Sequence, residues 1–502
     1  MNIYQSYYTE SKFITEYMVN KLNINERDLV LEPSAGNGIF IDTILRVSQP
    51  SIDAYDIDPD AINVLNRKYE FSSNINIIHS DTLLDEELDN KALIEGYYTK
   101  IIGNPPYGAW QDYEKRDNLK NIFKGFYVKE TYALFLLRCV KLLAEKGRLT
   151  FIIPDTFMNL HRFESLREYL LLNTKILDIT IFPSNFFPGV NYGYSKMCII
   201  NLEKVSDYIE ALDNNIKVID GLKSPIDFET ITKGEFDDFN LVNLNQREVY
   251  TSKNKAFLIK GGTGIRNLIN NSSCTLGDIA KCVTGIYTGD NSRFFKVANE
   301  KVRNQSKCPI INISEINNEF LGYSDLLSGI DSEKVYVPIV KGAADNYVRS
   351  IDWYIDWSKE AIEFYTTNKK ARFQNSDFYF KKGIALPMVK SSKIKANLIE
   401  NQVFDQSVVG VFPHEREYLY YLLGYFNSEV FTKIIHTINP TANNSANYVK
   451  KIPVIIIKED IENIDNLVKE IILIKRKTGK VDKKLQDKLD VYFNKLYAEW
   501  FE

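Results

Sequence analysis

The first half of the chain alternates short apolar runs with amphipathic ones. Leu29-Val30-Leu31 reads as a strand; a glycine-containing turn follows, and Phe40, Ile41, Ile44 and Leu45 then fall on one helical face. Segments beginning at Ile52, Ile75 and Ile101 read as further strands. After a loop over 108–129, the spacing of Ala133, Leu134, Leu137, Val140, Leu143 and Ala144 predicts a helix near 131–145, with Gly147 as its stop. A strand over 148–153, a helix over 162–172 and strands over 176–182 and 196–202 complete this part. Strands alternating with helices imply an α/β domain: a largely parallel sheet covered on both faces, finished by two antiparallel strands.

The second half is less regular. A polar stretch over 205–255, rich in Asp, Asn and Lys, separates it from the first. In the tail, Ile461, Ile464, Leu467, Ile471 and Ile474 recur at helical spacing, and Gly479 marks a turn between two helices. The expected division is therefore 1–240, 255–455 and a helical segment 456–502. A chain of 502 residues with 44% apolar content can bury a core in each large part.

Composition adds exclusions. No apolar run approaches the roughly eighteen residues a bilayer demands, and no signal peptide opens the sequence, so a cytoplasmic protein with no membrane partner is expected. The five cysteines show no Cys-x-x-Cys pairing and the four histidines are scattered, which indicates neither a disulfide scaffold nor a metal site. The net charge of −4 hides an asymmetry. Residues 1–250 carry 26 Lys and Arg against 37 Asp and Glu, whereas residues 251–502 carry 36 against 29. The densest cationic interval holds Lys369, Lys370, Arg372, Lys381, Lys382, Lys390, Lys393 and Lys395. Clustered cations on the second half suit a phosphate backbone.

The strand at Ile101 runs into Asn104-Pro105-Pro106-Tyr107. A side-chain carbonyl on Asn104 and the Pro105 carbonyl, aimed by the fixed φ of the prolines, can accept both hydrogens of an exocyclic amine, and Tyr107 can offer a face to its ring. An aromatic amine is a poor nucleophile, so two acceptors that polarise it help it attack. A strand ending in a proline turn, with Tyr107 in the core, would have the same residues. Upstream, Glu32-Pro33-Ser34-Ala35-Gly36-Asn37-Gly38 lacks the third glycine of a dinucleotide fingerprint and carries an acid where a pyrophosphate would be repelled. An acid there suits the ammonium of an amino acid. Asp56 ends the next strand, at the position from which a carboxylate grips ribose hydroxyls, and Asp81 follows the one after. Each acid alone fits a turn or a helix cap; three along one sheet edge fit a nucleoside.

These motifs resemble the N6-adenine DNA methyltransferases of the gamma arrangement, in which cofactor motifs come first, Asn-Pro-Pro-Tyr next and a TaqI-like target recognition domain last. The resemblance implies a Rossmann-like class I methyltransferase sheet followed by a mixed α+β target recognition domain, S-adenosylmethionine as cofactor and double-stranded DNA as partner. Carried over, Thr9 in Thr9-Glu10-Ser11 closes over the methionine end of the cofactor. Glu32, Pro33, Ser34, Ala35, Gly36 and Gly38 form its loop, Asp56 holds the ribose, Ile57 lies on the adenine and Asp81 takes its amino group. Asn104, Pro105, Pro106 and Tyr107 form the catalytic motif, and Phe187 stacks on the flipped base opposite Tyr107, with Phe182 and Phe186 as alternatives. Pieces such as 276–280, 283–291, 337–342 and 421–428 are similar to parts of the recognition domain.

A monomer without metal is expected, with a separately encoded restriction endonuclease as an optional companion. A release-factor glutamine N5-methyltransferase shares Asn-Pro-Pro-Tyr and is the alternative, although that family lacks a large domain after the catalytic one. Cytosine-N4 enzymes more often carry Ser-Pro-Pro-Tyr, and a non-catalytic specificity subunit would not keep the cofactor acids.

Overall fold

In the computed structural model, residues 11–501 are described except 94–95, 108–112, 128, 188–195, 253, 303–306, 318, 320–326, 343–344, 390 and 440–442, together with the side chain of residue 113. The chain divides into two compact units, 1–259 and 260–502.

The first unit is built on one nine-stranded sheet. Its elements run α1 (Lys12–Leu22), β1 (Leu29–Glu32), α2 (Ile39–Leu45), β2 (Ser51–Asp56), α3 (Pro59–Lys68), β3 (Ile75–His79), α4 (Glu86–Leu93), β4 (Tyr98–Gly103), α5 (Tyr113–Ile122), α6 (Thr131–Leu142), β5 (Leu143–Pro154), α7 (Glu164–Asn173), β6 (Thr174–Pro183) and β7 (Lys196–Lys204). Two more strands, β8 (Asn215–Asp220) and β9 (Asn240–Asn245), extend it. The order is β3-β2-β1-β4-β5-β7-β6-β8-β9. Strands β1 to β5 pair in parallel. β7 is antiparallel to both β5 and β6. This is the Rossmann-like α/β sheet of the class I methyltransferase fold. The antiparallel pair does not close it, as the hydrophobic pattern had suggested: β7 inserts between β5 and β6, and the polar stretch after 205 supplies β8 and β9.

Buried side chains explain why the strands sit centrally. Val30, Leu31, Ile101, Ile102, Leu149, Phe151, Ile152 and Ile153 are fully buried, the near-continuous apolar runs that a sheet covered on both faces requires. The buried guanidinium of Arg167 on α7 donates to the carbonyls of Phe157, Leu160, Asn254 and Lys255, so the last segment of the unit is fastened to this core.

The second unit holds two four-stranded sheets. One comprises β10 (Ala280–Thr284), β17 (Val408–Pro413), β14 (Gly383–Pro387) and β15 (Asn397–Ile399); the other comprises β11 (Phe295–Val297), β13 (Trp353–Asp356), β12 (Tyr336–Val340) and β16 (Val403–Phe404). Fully buried Trp357 packs against Tyr365, Phe373, Tyr379 and Phe380 at ring-centroid distances of 5.6 to 6.3 Å. Helices Ile461–Thr478 and Lys483–Leu496 meet at Gly479 and pack with helices Tyr418–Phe426 and Glu429–Ile438. Among the described residues, no helix is long and apolar enough to cross a membrane.

Candidate active site

The strand order reverses between β1 and β4, so the carboxyl ends of these two strands open a crevice where α/β sheets bind ligands. Glu32 ends β1 and Asp56 ends β2, and Asp81 lies two residues beyond β3. The loop after β1 is held from several sides. Ala35 N donates to Tyr55 O at 2.8 Å, Gly36 N to Asp56 Oδ2 at 2.7 Å, and Thr82 Oγ1 to Pro33 O at 2.6 Å. Gly38 has φ +76°, and a Cβ there would lie 2.7 Å from Tyr69 Oη, whose hydroxyl donates to Gly38 O. Only glycine combines that backbone with so close an approach.

Glu32 is 1% exposed, and its Oε2 has no hydrogen-bond partner among the described residues. Burial, then the charges of Asp56 and Asp42, push its carboxyl well above the usual carboxylate range. An unpaired buried acceptor of this kind is costly and calls for a cation or a donor. Asp56 is also raised by burial, against the pull of the Asp58 and Gly36 amides on its two oxygens. It therefore has a role that spacing did not disclose, fixing the Gly36 amide. Ile57 next to it is 39% exposed, open to packing by a ring. Asp58 caps α3 by accepting from Asp60 N, and Pro59 at the first helical position ends β2 sharply at the site.

Asn104 follows β4. Ser34 Oγ donates to Asn104 O at 3.3 Å, which joins the Asn-Pro-Pro-Tyr segment directly to the loop after β1. Tyr107 Oη donates to Asn104 Oδ1 and lies 3.0 Å from Ile152 O. The hydroxyl thus orients the amide, a function of Tyr107 that the residue pattern did not reveal. Pro105 is buried and Pro106 half-buried.

The stacking surface differs from expectation. Tyr107 is 3% exposed, with its ring edge-on to Tyr132 at 6.3 Å. Phe182, Phe186 and Phe187 are 0%, 7% and 3% exposed, and Phe182 lies within 6.0 Å of both others. A planar group would reach these rings only once neighbouring side chains part. Asp81 is also engaged: Lys115 of α5 approaches its Oδ2 at 2.6 Å, and its Oδ1 accepts from Leu83 N at 3.0 Å. Thr9 lies outside the described residues.

The sequence model of a family described as Eco57I restriction-modification methylase matches residues 22–187. The chain is 31% identical over 226 residues to the Type II methyltransferase M.HincII of Haemophilus influenzae, a match covering 43% of this chain and 40% of that protein. It is 28% identical over 321 residues to the Type II methyltransferase M.AccI of Acinetobacter calcoaceticus, covering 60% of this chain and 54% of the other. The matched stretch thus spans about two fifths to about half of these relatives. Among solved structures, DrdV in a DNA complex superposes with a TM-score of 0.56 at 13% identity, over 93% of this chain and 57% of that one. The ATP-dependent Type ISP restriction-modification enzyme LlaBIII bound to DNA gives a TM-score of 0.56 at 14% identity, over 93% of this chain and 39% of that one. At such identities the likeness is one of fold.

Proposed function

We propose that this protein is a site-specific DNA methyltransferase that transfers a methyl group from S-adenosylmethionine to N6 of an adenine flipped out of double-stranded DNA. The observation that supports the reading is the hydrogen bond from Ser34 Oγ to Asn104 O, which joins the proposed amine acceptor to a loop whose buried Glu32 Oε2 has no hydrogen-bond partner among the described residues. That oxygen fits the ammonium of the cofactor's amino acid, Asp56 the ribose, Ile57 the adenine ring and Asp81 its amino group. Glu32, Pro33, Ser34, Ala35, Gly36 and Gly38 would form the cofactor wall, joined by Thr9.

When bound, S-adenosylmethionine supplies an electrophilic methyl group on a sulfonium. Asn104 Oδ1 and the Pro105 carbonyl accept from the target amine and turn its lone pair toward that methyl. Tyr107 keeps Asn104 in place, and its ring, with Phe187 or a neighbouring Phe182 or Phe186, encloses the base after rearrangement. The proton leaves the alkylated nitrogen without a dedicated strong base. Flipping costs a few kcal/mol, offset by the closed pocket, and positioning provides most of the acceleration.

Residues 1–240 would carry the chemistry, 255–455 would form a TaqI-like target recognition domain in a gamma arrangement, and 456–502 a helical appendage. The protein would act as a monomer and without metal, in the cytoplasm, with a restriction endonuclease of the same system as companion. Relatives named as Type II methyltransferases favour DNA over a release-factor glutamine, and an Asn at 104 favours adenine over cytosine. The test is incubation with S-adenosylmethionine and plasmid DNA, followed by digestion to nucleosides. N6-methyladenine in one sequence context is expected; methylcytosine only, or unmodified DNA, would overturn the reading.

A further inference from the structure

Within the second unit, two loops are joined by a single β-bridge into a short ribbon. Arg372 N donates to Tyr287 O at 2.8 Å and Tyr287 N to Arg372 O at 3.2 Å. The base of the ribbon is fixed to the core: Ile286 N donates to Phe404 O at 3.0 Å, and a Cβ on Gly285 would fall 1.9 Å from that same oxygen, so no other residue fits there. At its far side Gly289, with φ +77°, lies against the Lys370 backbone.

The polar side chains of this ribbon are mostly committed to holding it. Gln374 Nε2 donates to Gly285 O and Asn375 Nδ2 to Thr284 O, at 2.8 and 2.9 Å. Thr288 is fully buried and donates to Asn291 Oδ1. Three cations face outward, beside the exposed carboxylates of Asp290 and Asp377. Lys369, Lys370 and Arg372 are exposed, and among the described residues none of them makes an ion pair, unlike Lys359 with Asp331 and Lys382 with Glu400. Arg372 lies with its guanidinium carbon 5.8 Å from the centre of the Tyr287 ring. A guanidinium on a loop anchored to the core in this way can match guanine O6 and N7 with two parallel hydrogen bonds in the major groove, whereas lysines serve phosphates as point charges.

We propose that Arg372 reads a guanine in the recognition sequence, while Lys369 and Lys370 contact the adjoining backbone. This rests on the DNA methyltransferase reading above. The test uses the full chain, S-adenosylmethionine and a plasmid library with randomised sites, with methylated positions read by sequencing. Wild type should show a G·C pair in its site. Arg372→Ala should lower discrimination at that one position by about tenfold or more, the scale of a lost bidentate contact. Arg372→Lys should lose the discrimination yet retain most of the affinity. Lys369→Ala and Lys370→Ala should weaken binding uniformly across sequences and make its salt dependence shallower. If Arg372→Ala and Arg372→Lys keep the wild-type site at every position, the proposal fails while DNA methylation stands. A wild-type protein that leaves DNA unmethylated removes both.

Discussion

Glu32 concentrates the physics of the site in one side chain. Its carboxyl is buried among Asp56 and Asp42 and titrates above its ordinary value. A raised folded value means that the native state holds a proton the unfolded chain has released. Stability from this group is therefore greatest below the unfolded value of about 4.3 and declines as pH rises from there toward the folded value. Glu32→Gln should raise the melting temperature of the ligand-free protein at pH about 7.5, with a smaller gain near pH 4, and should weaken S-adenosylmethionine binding at least about tenfold. Melting curves with and without cofactor check both; a variant that melts lower and binds equally well would contradict this role. The acid at the end of β1 was legible in the sequence because a carboxylate there excludes a pyrophosphate. The hydroxyl of Tyr107 on Asn104 was not, since it depends on a turn that brings residues three apart face to face.

Elements of the first unit were read well where apolar periodicity is strong and poorly where polar residues dominate. Strands β1 to β7 and helices α2, α6 and α7 follow from runs such as Leu29-Val30-Leu31 and from the stripe containing Leu134 and Leu137. Helix α5 was missed: Tyr113–Ile122 has mostly charged and amide residues, so no apolar face announces it. The long α6 ends at Leu142, and Leu143 already begins β5 beside β4. Apolar spacing could not separate these two, because Leu143 and Ala144 suit either element, and pairing with Tyr98 decides for the strand. The segment after 205 lacked long apolar runs, and its strands are specified by partners: β8 lies beside β6, and β9 lies on β8. Arg167 fastens the end of that segment through four main-chain carbonyls. Arg167→Leu strands those buried acceptors and should cost on the order of 3–5 kcal/mol. Urea denaturation reads it as a lower midpoint at unchanged slope, and an unshifted midpoint would refute the fastening role.

At the scale of the whole chain, the sequence showed two halves of opposite charge, and the cationic interval of the second is indeed on the surface. Lys369, Lys370, Arg372, Lys381, Lys382, Lys393 and Lys395 are exposed, and Lys390 lies outside the described residues. If these residues neutralise phosphates, the logarithm of DNA affinity should fall linearly with the logarithm of salt concentration, with a slope of about −3 or steeper. Fluorescence anisotropy with a labelled duplex measures it; a flat dependence would remove the backbone contacts. The two β sheets of the second unit were not legible, because their strands are only two to six residues long and pair across wide sequence gaps. The decisive measurement follows a labelled methyl group from S-adenosylmethionine into duplex DNA, for the wild type and for Asn104→Ala, with cofactor affinity determined in parallel. The expected result is label on N6 of adenine with the wild type, and a loss of about a hundredfold or more in the variant at nearly unchanged cofactor affinity. Label on adenine at undiminished rate with Asn104→Ala, or label recovered on protein and not on DNA, would contradict it.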